Sequence, residues 1–158
     1  EMCIRDRIRN NPSLVKVARF PGDSVLLKPI DKIKFFQGRH AAAGKDSLIL
    51  RQLPIPAANP VAEIAFMPYA KAMDMMAKWT HGEKLLGVAF VTDIAGLDVT
   101  HTGFLIADGK NPPLLRHASQ LNNKVTTQPF GEYLETRKGK CAGVLFFEFL
   151  TPPVLSAK

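Results

Sequence analysis

The stretch Asp98-Val99-Thr100-His101-Thr102-Gly103-Phe104-Leu105-Ile106-Ala107 runs on through Asp108-Gly109-Lys110-Asn111-Pro112-Pro113 to Leu114-Leu115-Arg116-His117-Ala118-Ser119. Its middle block is rich in turn formers, between two runs read as strands. The pattern predicts two antiparallel strands joined by a hairpin near Gly109. A hairpin symmetric about Gly109 opposes residues whose numbers sum to 218, and His101 and His117 satisfy that sum. Opposed residues share a face, with Cβ atoms about 5 Å apart. A slip of one residue would instead send the two imidazoles to opposite faces.

Working outward, Leu85 to Thr92 predicts a buried strand and Val144 to Leu150 a Phe-rich one. With His101 to Ala107 and Leu114 to Ser119 they make four strands. Phe130, Tyr133 and Leu134 recur at helical spacing within Gln128 to Arg137, and Lys138-Gly139 stops that helix. A second helix is read from Ile64, Met67, Ala70-Lys71, Met75 and Lys78-Trp79, with Met73 and Met76 widening its apolar face, its regular part starting near Pro68. Its methionines are expected in the core rather than on a promiscuous binding surface. Earlier in the chain, Leu14 to Phe20 reads as a strand or a short helical turn and Pro21-Gly22-Asp23 as a turn. Ser24 to Lys28 reads as a strand ended by Pro29, Gly38 to Asp46 as a loop, Ser47 to Leu53 as a strand, and Pro54, Pro56 and Pro60 as an extended linker. The fold class expected is α+β, a mostly antiparallel sheet with helices packed on one side.

Composition bounds the function. A chain of 158 residues, 46% hydrophobic and 22% charged, is long enough for one domain with a real core. No apolar run approaches the length of a membrane span. Two cysteines, Cys3 and Cys141, supply neither a disulfide framework nor a cysteine-rich metal site. The net charge of +7 comes from a basic segment up to Arg51 and another after Gly109, with an acidic balance between. These lysines and arginines alternate with apolar residues and form no aromatic-interleaved basic run, so nucleic acid is not the expected partner. Gly44-Lys45 is followed by Asp46, so there is no phosphate-binding P-loop, and no nucleophile-elbow or dinucleotide fingerprint occurs. Residues 1–7, opening Glu1-Met2-Cys3-Ile4, read as a non-native scar, leaving residues 8–158 as a single truncated domain.

Adjacent imidazoles allow three uses. One ring acts as general base while the other fixes its tautomer and orientation. Alternatively both are half-buried polar side chains satisfied locally. As a third option, His101 and His117 with Asp98 hold a zinc ion, although the spacing lacks the tight helical pattern of common zinc motifs.

Gly96-Leu97-Asp98-Val99-Thr100-His101-Thr102-Gly103-Phe104, then Leu115-Arg116-His117-Ala118-Ser119, Val125 and Tyr133-Leu134, resembles the NlpC-type, papain-like cell-wall cysteine hydrolases. The resemblance is nearest to their N-acetylmuramoyl-L-alanine amidase-like branch. Phe66-Met67-Pro68 adds to it, and it extends from about Ile64 to Phe149. It implies a papain-like fold, His101 as general base and His117 as its orienting partner, with no cofactor and no metal. Asp98, close to His101 in sequence, is a candidate for positioning that ring or contacting a substrate amine, and Ser119 is a further candidate substrate-binding residue. The implied substrate is peptidoglycan or a muropeptide, and the implied location the periplasm or cell envelope.

The same resemblance implies a nucleophilic cysteine at a helix N-terminus in an Asp-Cys-Ser/Thr context, where the helix dipole lowers the thiol pKa. Neither Cys3 nor Cys141 has that context, and Gly87-Val88 stands where the family's Gly-Asp turn is expected. Cys141 reads as a small buried hydrophobe. The chain is therefore expected to be a fragment without its nucleophile, and inactive alone. The alternatives are a pseudoenzyme and a non-catalytic module that binds muropeptides or a partner.

Overall fold

A computed structural model describes residues 8, 10–20, 24–29, 31, 33–34, 63–94 and 97–151. The strands are β1 (Val15–Val17), β2 (Leu26–Pro29), β3 (Glu63–Pro68), β4 (Glu83–Val91), β5 (Val99–Asp108), β6 (Leu114–Ser119), β7 (Lys124–Pro129) and β8 (Gly143–Phe149). Helices α1 (Tyr69–Ala77) and α2 (Phe130–Glu135) accompany them. The sheet runs β2-β3-β8-β4-β5-β6-β7, and β1 pairs with the end of β8 that β3 leaves open. All the described pairings are antiparallel. The α+β class expected from the sequence is the one observed.

Alternation explains which face each strand buries. Leu86, Val88 and Phe90 of β4, Leu105 and Ala107 of β5, Leu115 of β6 and Val144 and Phe146 of β8 point inward under Ala72 and Met76 of α1 and Phe130, Tyr133 and Leu134 of α2. Among the described residues the opposite face is covered at the β4–β8 end, where Ala89, Val91, Leu145 and Phe147 meet Ile64 and Phe66 of β3, Ile8, and Val15 and Val17 of β1. Because both of its faces are covered there, β4 reads as an unbroken apolar run. Strand β5 alternates in burial, with Phe104 and Ile106 exposed on its outer face. Met76 is buried and Met73 and Met75 are partly buried against the core, so the methionine face of α1 is packing.

Three expectations need correction. Ile64 to Met67 are strand, and the helix begins only at Tyr69, after Pro68 at its N-cap. Ile64 and Met67 satisfy a helical spacing by chance, while Ile64 and Phe66 fill the outer core as a strand of period two. Likewise Gln128 is not helical. Lys124–Pro129 form β7, polar enough to escape a hydrophobic pattern search, and α2 starts at Phe130. Finally, β5 and β6 pair as Phe104↔Arg116, Leu105↔Leu115 and Ile106↔Leu114, a sum of 220 rather than 218. The turn is longer than a two-residue hairpin. Gly109 has φ +75°, open to glycine, and the Asp108 carboxylate accepts from the backbone N–H groups of Lys110 and Asn111. A shift of two in the sum keeps every side chain on its expected face and makes the histidines diagonal neighbours.

Leu14 to Phe20 resolves as the short strand β1, and Pro29 lies within β2, at the end of the sheet where a missing N–H is tolerated. The expected scar at 1–7, the turn at 21–23, the loop at 38–46, the strand at 47–53 and the linker prolines 54, 56 and 60 lie outside the described residues. The Lys28 ammonium of β2 donates to the carbonyls of Thr92, Ile94 (3.3 Å) and Leu97 (2.9 Å), in the segment leading from β4 to β5. Burial lowers its pKa, opposed by the charges of Asp93 and Asp98. Among the described residues no helix is long and apolar enough to cross a membrane.

Candidate active site

Two strands and one helix bring the histidines together. His101 stands on the inner face of β5, opposite Phe90 of β4, whose ring centroid lies 5.9 Å from the imidazole. His117 stands on the same face of β6 and is 6% exposed. Gly103, next to His101 along that face, has no side chain, and His117 occupies the space one would fill: a Cβ on Gly103 would come within 3.0 Å of the His117 Cβ. His117 therefore leans along the diagonal toward His101, and His101 Nε2 lies 2.8 Å from His117 Nδ1. The rings meet nearly at right angles, 89°, with centroids 4.9 Å apart. The expected juxtaposition is present, reached through a different register.

The contact continues to a residue that sequence reasoning missed. Gln128 Nε2 lies 2.9 Å from His117 Nε2, giving the order His101, His117, Gln128. Thr126 and Gln128 alternate onto this face of β7, opposite His117 and Leu115. A period-two reading of Lys124 to Pro129 was the available signal.

Tyr133 of α2 closes the far side. Its ring centroid is 4.7 Å from that of His117 and 6.0 Å from that of His101. The Tyr133 hydroxyl accepts from Arg137 Nε at 3.0 Å and from a terminal N–H of the same guanidinium. Burial lowers the His101 pKa below the usual imidazole range, and the neighbouring His117 and Arg137 add to the shift. His117 is lowered too, by burial foremost, with its hydrogen bond to the Ala118 backbone opposing and Arg137 adding. Both rings are thus held neutral at neutral pH, the state in which an imidazole can take up a proton.

The other candidates lie around this centre. Asp98 is buried ahead of β5, where its carboxylate accepts from the Val99 N–H at 2.9 Å and supports the Lys28 charge. Ser119 ends β6, and its Oγ accepts from the Asn122 N–H at 3.2 Å in the turn into β7. Among the described residues no group of three His, Cys, Asp or Glu side chains is placed to hold a metal ion, so Asp98 does not join the histidines as a ligand set. Cys141 is buried; its thiol donates to the Gly143 carbonyl at 3.0 Å, and burial pushes its pKa up. That is the opposite of an activated thiol.

A family model described as AmiA-like, N-acetylmuramoyl-L-alanine amidase-like, matches residues 45–142. Among solved structures, an N-acetylmuramoyl-L-alanine amidase from Bacteroides uniformis ATCC 8492 is similar with a TM-score of 0.67 at 21% identity, over 94% of this chain and 64% of that one. A protein from Legionella pneumophila str. Philadelphia 1 is similar with a TM-score of 0.62 at 13% identity, over 92% of this chain and 60% of that one. At these identities the likeness is one of fold. The chain spans less than two thirds of the length of either structure. No curated protein matches it.

Proposed function

The chain belongs to the AmiA-like, N-acetylmuramoyl-L-alanine amidase-like family, and from that premise we propose that it carries the histidine half of a cysteine–histidine amide hydrolase site of the NlpC-type, papain-like kind. The substrate is an amide of peptidoglycan, in the stem peptide or at its link to muramic acid, and the place of action is the cell envelope. The observation that carries this reading is the 2.8 Å contact between His101 Nε2 and His117 Nδ1 on the helix-covered face of the sheet.

In this mechanism His117 occupies His101 Nε2 and leaves His101 Nδ1 for proton transfer. His101 takes the proton of a cysteine thiol, and the thiolate adds to the amide carbonyl carbon. The C–N bond then breaks as His101 returns the proton to the leaving amine, leaving a thioester. Water attacks that thioester, His101 receives the water proton, and the acid is released as the sulfur leaves and is reprotonated. Cys141 is not that sulfur, because it is buried, engaged with Gly143 and raised in pKa. We assign the attack to a cysteine on a segment of the whole protein that this chain does not include.

The test is an amidase assay on the protein expressed from its complete coding sequence, with muropeptides as substrate. Activity that is lost in His101→Ala and retained in Cys141→Ala is expected. Activity unaffected by His101→Ala would overturn the reading. The buried state of Cys141 also favours a second reading, a non-catalytic muropeptide-binding module. In that case the complete protein binds muropeptides without cleaving them.

A further inference from the structure

We propose that Gln128 is a positioning residue that sets the proton arrangement of the His101–His117 pair, an inference that rests on the amide-hydrolase reading. Its side chain comes from β7, diagonally across the ladder from His117, and reaches the imidazole nitrogen that faces away from His101. Pro129 follows it, which restricts Gln128 to extended backbone and so fixes the origin of the side chain. Among the described residues the other groups facing the pair are Tyr133 of α2, Arg137 just beyond it, the uncharged Phe90 of β4 and the Ala118 backbone beside His117. Arg137 donates to Tyr133, and its charge disfavours protonation of both rings.

The chemistry follows from the valence of each ring. A neutral imidazole carries one N–H and one lone pair, so whatever meets His117 Nε2 decides what His117 Nδ1 offers to His101. When the Gln128 amide presents its N–H, His117 Nε2 accepts, and His117 Nδ1–H donates to His101 Nε2. His101 then holds its own proton on Nδ1 and has no lone pair there. When the amide turns through half a rotation, Oε1 accepts from His117 Nε2–H. His117 Nδ1 then accepts from His101 Nε2–H, and His101 Nδ1 is bare, ready to take a proton. Only this second arrangement remains hydrogen-bonded throughout once His101 becomes an imidazolium, because that ion donates from both nitrogens. An amide is both donor and acceptor, so Gln128 can complete either arrangement. A carboxylate at the same place accepts only, and a thioether fixes neither.

The experiment is long-range 1H–15N correlation of the imidazole nitrogens across a pH titration of the 158-residue chain, its Gln128→Glu variant and its Gln128→Met variant. The wild type is expected to show the same tautomer in both rings. Gln128→Glu is expected to place both protons on Nε2 and to raise the titration midpoint of the pair by about one pH unit or more. Gln128→Met is expected to average the His117 tautomer. Identical tautomers and midpoints in all three chains would overturn the proposal, whatever the protein hydrolyses. In the complete protein, Gln128→Met is expected to lower kcat at least tenfold with KM unchanged. Gln128→Glu should retain kcat with the acidic limb of the pH profile moved upward. Equal loss in both variants would assign Gln128 a merely structural part, whereas loss of the His101 requirement would instead remove the hydrolase reading.

Discussion

Gly103 faces His117 across the β5–β6 ladder so closely that a Cβ on Gly103 would lie 3.0 Å from the Cβ of His117 and 2.9 Å from the carbonyl oxygen of Arg116. Glycine is therefore needed at this point to let the second imidazole lean toward the first. Gly103→Ala is expected to widen the His101–His117 contact and to destabilise the chain by about 1–3 kcal/mol, the usual range for overpacking. Urea unfolding measures the stability. The imidazole 15N shifts report the contact, and unchanged shifts in a folded Gly103→Ala chain would contradict the steric account.

Acidification should weaken the fold through the same pair. The folded-state pKa values of His101 and His117 lie below their unfolded ones. The unfolded chain therefore binds protons first, and stability present at neutral pH declines as the pH falls below about 6.5 toward the folded values. Urea midpoints at several pH values should show that decline in the wild type and a shallower one in His101→Gln. Parallel slopes would exclude the pair as its source.

Cys141 should be chemically silent. In a chain carrying Cys3→Ser, alkylation of Cys141 at mildly alkaline pH is expected to be slower than about one tenth of the rate in denaturant, because its thiol is buried and raised in pKa. Rapid labelling of the folded chain would mean that the β8 end opens readily.

Gly143 marks a tight crossing of the sheet. A Cβ there would fall 2.0 Å from the Met67 carbonyl oxygen and 2.6 Å from the Phe66 ring, and the first of these is backbone that no side-chain rotation can move. Gly143→Ala should cost about 3 kcal/mol or more by forcing β3 away from β8. A thermal melt close to that of the wild type would contradict the close approach.

What the sequence made legible follows from how strongly each signal was expressed. The turn formers between Asp108 and Pro113 and the apolar runs of β4 and β8 exposed the sheet, because turns and burial are what those patterns record. Placement of His101 and His117 on one face survived a wrong register, since facing depends on parity and the sums 218 and 220 are both even. The turn itself stayed hidden because Asp108, by bonding to Lys110 and Asn111, closes a longer loop than a two-residue hairpin. Strand β7 escaped because its residues are polar and mostly exposed, and Gln128 went with it. Ile64 to Met67 misled because four residues are too few to separate a period of 3.6 from a period of two.

The grip of Lys28 on the carbonyls of Thr92, Ile94 and Leu97 reaches back 64 to 69 positions along the chain. It fastens the approach to β5, and so the aim of His101, to a strand far upstream. A shortened version starting at Glu63 would still hold both imidazoles, Gln128 and the two helices. It would also leave three carbonyl groups without their ammonium and the run-up to the strand that carries His101 untethered. The smallest unit that keeps this tether thus has to begin before Leu26, well ahead of either imidazole.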